Sequence, residues 1–374
     1  MKKRIKNKYL ALLSFVILLA SCEQDSVGPE SKSVSSGFDV SKVTLSSSTT
    51  NLNEKIGQFP VITADWEETA SYELFLRGLS SGAEKVFYGT STKLEQEWNG
   101  LSSNMQFFRT GEYVSIHLKL AGANEIVSSD TLFVKGAYNF DGKLDQYGVK
   151  YFVVENFETD EDQFQPDFPL GQVSPDAKDE NVLFQNTSDL SVEGKSSMLI
   201  AGSDVNGNGW SGDYYHQYLG AFLASKGKGF PIDSGIDPED LYFNIFIYGT
   251  GAEGTTVQIA VSEIDGGDTL TDQNEINDWI VSGFENKSDY IAADNDSWIY
   301  SIPVKWVGWK QVSIPYSEFW LKAVSTGGDK IKESFRISGI TLSLLSFPTA
   351  GFDTKAYIDY LTITTGGKAQ YNLK

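Results

Sequence analysis

From residue 38 onward this chain is written in short runs that alternate apolar and polar residues. A period of two marks a strand with one buried face. The earlier runs are 43–45, 59–63, 71–76, 85–88, 113–118 and 130–134; the later ones are 152–158, 197–201, 241–248, 256–261, 298–304, 311–315, 337–345 and 356–364. Gly-, Ser- and Asn-rich stretches separate them, and no strong helical period intervenes, so an all-β body is expected. In the run 241–248 one face reads Leu241, Phe243, Ile245 and Ile247, a core stripe. The other reads Tyr242, Asn244, Phe246 and Tyr248. That second set fits either a concave ligand face or burial beneath the long loop 263–297.

The runs fall into two groups separated by a polar, Gly-punctuated join at 137–151. The first group, 38–136, has the length and strand spacing of an immunoglobulin-like or fibronectin-like sandwich. The second, 152–366, reads as a two-sheet jelly roll, followed by a tail at 367–374. Residues 22–37 lack an apolar pattern and read as a flexible tether. His117 lies alone in a strand and reads as structural.

The start of the chain changes the compartment. Lys2, Lys3, Arg4, Lys6 and Lys8 precede an apolar run from Leu10 to Ala20, which is too short to span a bilayer comfortably and reads as an export signal. Cys22, the only cysteine, stands directly after Leu19-Ala20-Ser21. This arrangement resembles the lipobox of bacterial lipoproteins, which implies removal of residues 1–21 and acylation of Cys22. Acidic residues just behind Cys22 resemble the surface-export signals of Bacteroidetes lipoproteins. Removing 1–21 takes away five positive charges and no negative ones, moving the net charge from −20 to −25. Nucleic acid and anionic headgroups are therefore poor partners. With no second cysteine, burial of apolar area has to hold the fold.

Four segments give the second group its likeness. They are Val154-Glu155-Asn156-Phe157-Glu158, Glu193-Gly194-Lys195-Ser196-Ser197-Met198, the stretch from Gly308-Trp309-Lys310 to Phe319, and Tyr357-Ile358-Asp359-Tyr360-Leu361-Thr362-Ile363. In that order and spacing they resemble the galactose-binding-like jelly rolls that include many carbohydrate-binding modules. With the lipobox and the first sandwich, the whole resembles the surface glycan-binding lipoproteins of starch-utilisation-type uptake systems in Bacteroidetes. The resemblance implies an outer-membrane protein facing the cell exterior, a polysaccharide or oligosaccharide ligand and a transporter complex as partner. It also implies a structural calcium held by Glu158 and Asp359, with Tyr360 standing where many relatives carry a second acid.

The densest aromatic and polar cluster is Trp210 to Tyr218. Sugar rings present apolar C–H faces edged by hydroxyls, so aromatic faces with amide, carboxylate or imidazole groups beside them suit saccharides. Trp210, Asp213, Tyr214 and His216 are candidate glycan-binding residues on that ground, together with Tyr242, Tyr248, Trp279 and Trp298. Trp306, Trp309 and Trp320 are expected in the core. Two histidines, no free cysteine beyond Cys22 and no Gly-x-Ser-x-Gly elbow leave no catalytic constellation. The expectation is a non-catalytic glycan-binding lipoprotein. A structural or adhesive lipoprotein that binds a protein partner is the competing expectation, and a glycosidase or lyase ranks third.

Overall fold

A computed structural model describes residues 43–53, 59–121, 126–128, 131–158, 182–202, 210–217, 230, 232–252, 254–263, 296–322, 329–346 and 354–371. The export signal at 1–21, Cys22, the tether at 22–37 and Trp279 lie outside the described residues, as do the side chains of 210–217. The described architecture is all-β, with eighteen strands, two short 3-10 turns and no α-helix among the described residues.

Seven strands form the first unit: β1 (Thr44–Leu45), β2 (Thr49–Asn51), β3 (Val61–Gly78), β4 (Glu84–Glu97), β5 (Glu112–Leu120), β6 (Val127–Ser128) and β7 (Leu132–Gly136). They hydrogen-bond into one sheet in the order β1-β3-β5-β7-β2, with β4 on β3 and β6 on β5. The two expected runs 59–63 and 71–76 both fall in or against a single strand of 18 residues. Polar Glu67, Glu68 and Thr69 divide the pattern in the sequence. In space a register shift against β4, between Asp65 and Ala70, absorbs them. Leu74, Leu76, Ile116, Leu118, Val134 and Trp98 fill the core of this unit.

The second unit has two sheets. The six-stranded sheet combines β8 (Lys150–Glu155), β9 (Val182–Thr187), β10 (Ser197–Gly202), β12 (Leu241–Thr250), β15 (Val307–Pro315) and β18 (Thr354–Thr365) in the order β15-β12-β18-β10-β9, with β8 on β18. The five-stranded sheet combines β11 (Trp210–Gln217), β13 (Thr255–Glu263), β14 (Ser297–Pro303), β16 (Trp320–Leu321) and β17 (Ile337–Ser346) in the order β11-β17-β13-β14-β16. One shared core joins them. Phe243, Ile245, Ile247, Ile358 and Ile363 come from the larger sheet, and Val257, Ile259, Val261, Ile340, Leu342 and Leu344 from the smaller. The stripe Leu241, Phe243, Ile245 and Ile247 is core, as its spacing implies.

The two units meet through a separate apolar cluster. Leu101, Phe107 and Phe140 pack with Tyr151, Phe246, Tyr360 and Tyr371. Phe107 is the hub, with ring centroids 5.1 Å from Tyr360, 5.2 Å from Tyr371, 5.8 Å from Phe246 and 5.8 Å from Phe140. Such edge-on and tilted pairs each contribute about 0.5–1.5 kcal/mol beyond the area they bury. The Phe107 N–H donates to the Val192 carbonyl at 2.9 Å. Arg109 Nη2 donates to Ser191 Oγ at 2.7 Å.

The segment after β18 lies across the outer side of the six-stranded sheet. The Ala369 N–H donates to Asn244 Oδ1 at 3.0 Å, and Gln311 Nε2 donates to the Ala369 carbonyl at 3.0 Å. The Tyr371 hydroxyl bonds Thr362 Oγ1.

Candidate functional site

Strict alternation in β13, β14 and β17 gives the five-stranded sheet two different faces. Val257, Ile259, Val261, Trp298, Ile302, Ile340, Leu342 and Leu344 point into the core. Thr256, Gln258, Ala260, Ser262, Ile299, Ser301, Thr341, Ser343 and Leu345 occupy the alternate positions and form the outer face. Thr256, Ala260, Ser343 and Leu345 are buried there, whereas Gln258, Ser262, Ser301 and Thr341 are polar and partly exposed, so a ligand can reach the strands along that strip. Gln258 Nε2 donates to Ser301 Oγ across the pair at 3.0 Å.

At one edge of this sheet stands Trp320, 46% exposed and registered opposite Ile299. Its ring lies 5.7 Å from that of Tyr300. The Tyr300 hydroxyl is hydrogen-bonded to Glu318; burial, and then the Glu318 charge, raise its pKa above the usual phenol value. This edge held Trp320 contrary to expectation. The Gly-Trp-Lys segment suggested packing, but β16 has two residues at the sheet margin, with no further strand over it among the described residues.

The edge is fastened from below. Lys332 Nζ donates to the Ser317 carbonyl at 2.7 Å and to the Phe319 carbonyl, and lies 4.8 Å from the Trp298 ring centroid. Trp298 Nε1 donates to Glu263 Oε2 at 2.8 Å, and Glu263 Oε1 takes the Glu333 N–H at 2.7 Å. Asp296 Oδ2 takes the Lys330 N–H at 2.5 Å. Buried carboxylates thus hold the chain at Glu263 and Asp296, on either side of residues 264–295, and at Lys330 and Glu333 after residues 323–328.

Trp279 lies outside the described residues, and the other seven expected glycan-binding residues do not gather in one place. Trp298 is corrected outright: it is 7% exposed, sits in the core between the sheets and spends its indole N–H on Glu263. Trp210, Asp213, Tyr214 and His216 lie on β11, paired with β17 through Trp210–Leu345, Asp213–Ser343, Tyr214–Leu342 and His216–Ile340. Tyr242 and Tyr248 are half-buried on the opposite sheet, on its outer side. There Tyr248 meets Trp309 at 5.5 Å and Tyr357 at 5.8 Å between ring centroids. Phe246, next in the same set, is fully buried in the seam between the units. Gln258, Ser301 and Trp320 were missed. The alternation Thr-Val-Gln-Ile-Ala-Val-Ser over 256–262 carried the signal, but small polar residues do not announce a ligand face as rings do.

Glu158 and Asp359 were expected to hold calcium. Asp359 is buried and accepts the Val192 and Glu193 N–H groups on Oδ2 at 2.6 and 3.1 Å. Its Oδ1 is enclosed with no hydrogen-bond partner, as is Glu193 Oε2. Glu158 Oε1 accepts the Lys195 and Ser196 N–H groups at 2.8 and 2.9 Å. Gly194, at φ +53°, permits this approach, since a Cβ there would fall 2.2 Å from the Glu158 carboxyl. Burial first, then the Glu158 charge, push the Glu193 carboxyl up to about 8, with Arg109 opposing. Burial and then Glu193 raise Asp359 well above its ordinary value. The described residues contain no group of three or more acid, His or Cys side chains arranged as a metal centre. The enclosed, unpartnered oxygens suit a hard cation only if main-chain oxygens complete its shell. Tyr360, at φ +46°, sits in a bulge of β18 that turns its ring into the seam.

No family model matches the chain, and no curated protein matches it. Among solved structures, the family 11 carbohydrate-binding module from Clostridium thermocellum in complex with a β-1,3-1,4-mixed-linked tetrasaccharide is 14% identical. That match covers 57% of this chain and 94% of the module at a TM-score of 0.35. A family 30 carbohydrate-binding module is 12% identical, covering 54% of this chain and 80% of the module at a TM-score of 0.32. TM-scores below 0.5 at such identities carry no argument about function.

Proposed function

We propose that this protein is a non-catalytic glycan-binding lipoprotein, tethered at an outer membrane through Cys22 and facing the cell exterior. It holds a polysaccharide against the outer face of the five-stranded sheet for a starch-utilisation-type uptake complex. One observation carries the reading. Of the two outer faces of the second unit, the five-stranded one has a partly exposed polar strip of Gln258, Ser262, Ser301 and Thr341 with exposed Trp320 at its edge, whereas the seam and the segment after β18 occupy much of the other. Flat ring surface beside amide and hydroxyl groups is the chemistry of saccharide recognition. Acids at the margin do not suggest hydrolysis: Glu263 and Asp296 are buried and spent on indole and main-chain N–H groups.

The test is affinity electrophoresis of the mature chain against neutral and anionic glycans, with Trp320→Ala beside it. Retardation by at least one polymer, lost or reduced by roughly tenfold in affinity in Trp320→Ala, is expected. No retardation by any polymer would falsify the reading. We also propose that Glu158 and Asp359 hold a structural calcium, supported by the enclosed unpartnered oxygens beside them. When bound, the ion would supply the positive charge that Glu193 and Asp359 lack.

A further inference from the structure

We propose that the first unit carries a second saccharide-binding groove, along the edge of β4 away from β3, so that one chain of the ligand can be held at two places. The inference rests on the glycan-binding reading above.

A cavity of about 450 Å³ runs along this edge, lined by Lys85, Val86, Phe87, Tyr88, Gln96, Glu97 and Asn99. That volume lies within the ~300–1,000 Å³ of ordinary small-ligand sites. Both ends of β4 contribute, because the register shift between Asp65 and Ala70 of β3 bends the pair and brings 85–88 and 96–99 onto one groove. Tyr88 is 73% exposed, a large ring left in water. Beside it, Phe87 is half-buried beneath Lys85 Nζ, 5.1 Å from the ring centroid.

The walls are set in advance. Trp98 is buried, donates its indole N–H to the Leu101 carbonyl at 3.1 Å and packs edge-on against Phe108 at 4.6 Å. Asn99 Oδ1 accepts the Leu101 N–H at 3.3 Å, and Gln96 Nε2 donates to the Glu97 carbonyl at 2.8 Å.

Two features select the occupant. A peptide adding as a strand needs the open main-chain groups of β4. The Glu84 N–H is already taken by Asn104 Oδ1 at 3.1 Å and the Val86 N–H by Ser103 Oγ at 3.2 Å, while the Glu84 carbonyl accepts the Ser103 N–H at 2.5 Å. Side chains, not the strand edge, are what the groove offers there. Its charges are one cation, Lys85, and one anion, Glu97, which favours an uncharged ligand. Two rings, two amides and balanced charge fit a neutral glycan segment. Two grooves on one molecule raise apparent affinity for a polymer by making the second contact intramolecular.

Isothermal titration of the mature chain with short neutral oligosaccharides, taken from the polymer that retards it best, tests this. The variants are Tyr88→Ala and Gln96→Ala on the groove and Trp320→Ala on the other face. All three positions are at least partly exposed, so folding should survive. Wild type is expected to bind two oligosaccharides per chain, and Tyr88→Ala one. Retardation by the polymer should weaken by roughly fivefold or more in Tyr88→Ala. One site in wild type, unaltered by Tyr88→Ala and Gln96→Ala but lost in Trp320→Ala, overturns this groove and leaves the main reading intact. Loss of a site for an anionic polymer but not a neutral one in Tyr88→Ala overturns the assigned ligand class. Absence of binding to every glycan overturns both.

Discussion

The two outer faces of the second unit follow the same strand alternation and have come to opposite ends. On the six-stranded sheet the outward set includes Phe246, Asn244, Tyr248 and Trp309, and a large part of it is covered. Phe107 arrives from the first unit, Phe140 from the join between the units and Tyr371 from the segment after β18. Asn244, buried in the middle, is satisfied by Ala369 and Thr364. On the five-stranded sheet the outward set of β13, β14 and β17 is mostly Thr, Gln, Ser and Ala with Ile299 and Leu345, and Trp320 at its margin is exposed. Rings on an outward face attract protein, because burying them contributes most. Around Gln258, Ser262, Ser301 and Thr341, small polar residues leave part of the face accessible to a ligand. A covered face should therefore answer to stability measurements and an open one to binding.

The covered face offers the largest effect. Phe107→Ala removes the ring that touches Phe140, Phe246, Tyr360 and Tyr371. Burial of this kind costs about 3–5 kcal/mol on truncation to Ala. Urea unfolding should show that loss, with the two units of the variant unfolding in separate transitions. Glycan retardation should persist under folding conditions. A loss under ~1 kcal/mol would mean that the seam is not held by this hub.

The same face predicts an inverted pH dependence. The Glu193 carboxyl rises from 4.5 to about 8 on folding. Over that window the folded chain holds a proton that the unfolded chain has released, so stability falls as pH rises through it. Asp359, raised in the same direction, adds to the fall. Glu193→Gln should flatten the slope, and so should calcium, by favouring the ionised carboxylates. A slope that is equal with calcium and with EGTA would remove the proposed ion from Glu158 and Asp359.

These differences explain what could be read before the structure was known. Strand positions in the second unit were legible because 241–248, 256–261 and 337–345 alternate cleanly, and period two fixes a strand without knowing its partner. Strands β9 and β11 were not read as strands. In β11, Trp-Ser-Gly-Asp-Tyr-Tyr-His-Gln mixes rings and polar groups at every position, which read as a ligand cluster. The core stripe of β12 was legible, but the fate of its other face was not. Whether Phe246 meets water or Phe107 depends on a contact between residues 139 apart in the chain. Trp298 illustrates the same limit: a ring next to a polar loop reads alike whether its N–H faces solvent or a buried Glu263. Gln258 and Ser301 were passed over because a ligand floor of small side chains looks, in sequence, like any solvated sheet face.

Gln258 is the sharpest test of the open face, although its effect should be the smallest. Among the described residues its amide bonds Ser301 Oγ, a neighbour on the same partly exposed surface. Gln258→Ala leaves Ser301 with access to water or ligand, so no buried group is orphaned, and stability should change by less than ~1 kcal/mol. A glycan lying across the face would lose one amide contact, a difference of roughly fivefold in affinity. Calorimetry on the retarding polymer and urea unfolding on the same sample read both quantities. A loss of affinity without loss of stability supports an open, ligand-facing floor. Should stability drop by several kcal/mol instead, Gln258 is part of a covered interior like Asn244. The two faces would then be alike, and the saccharide would have to be sought elsewhere on the molecule.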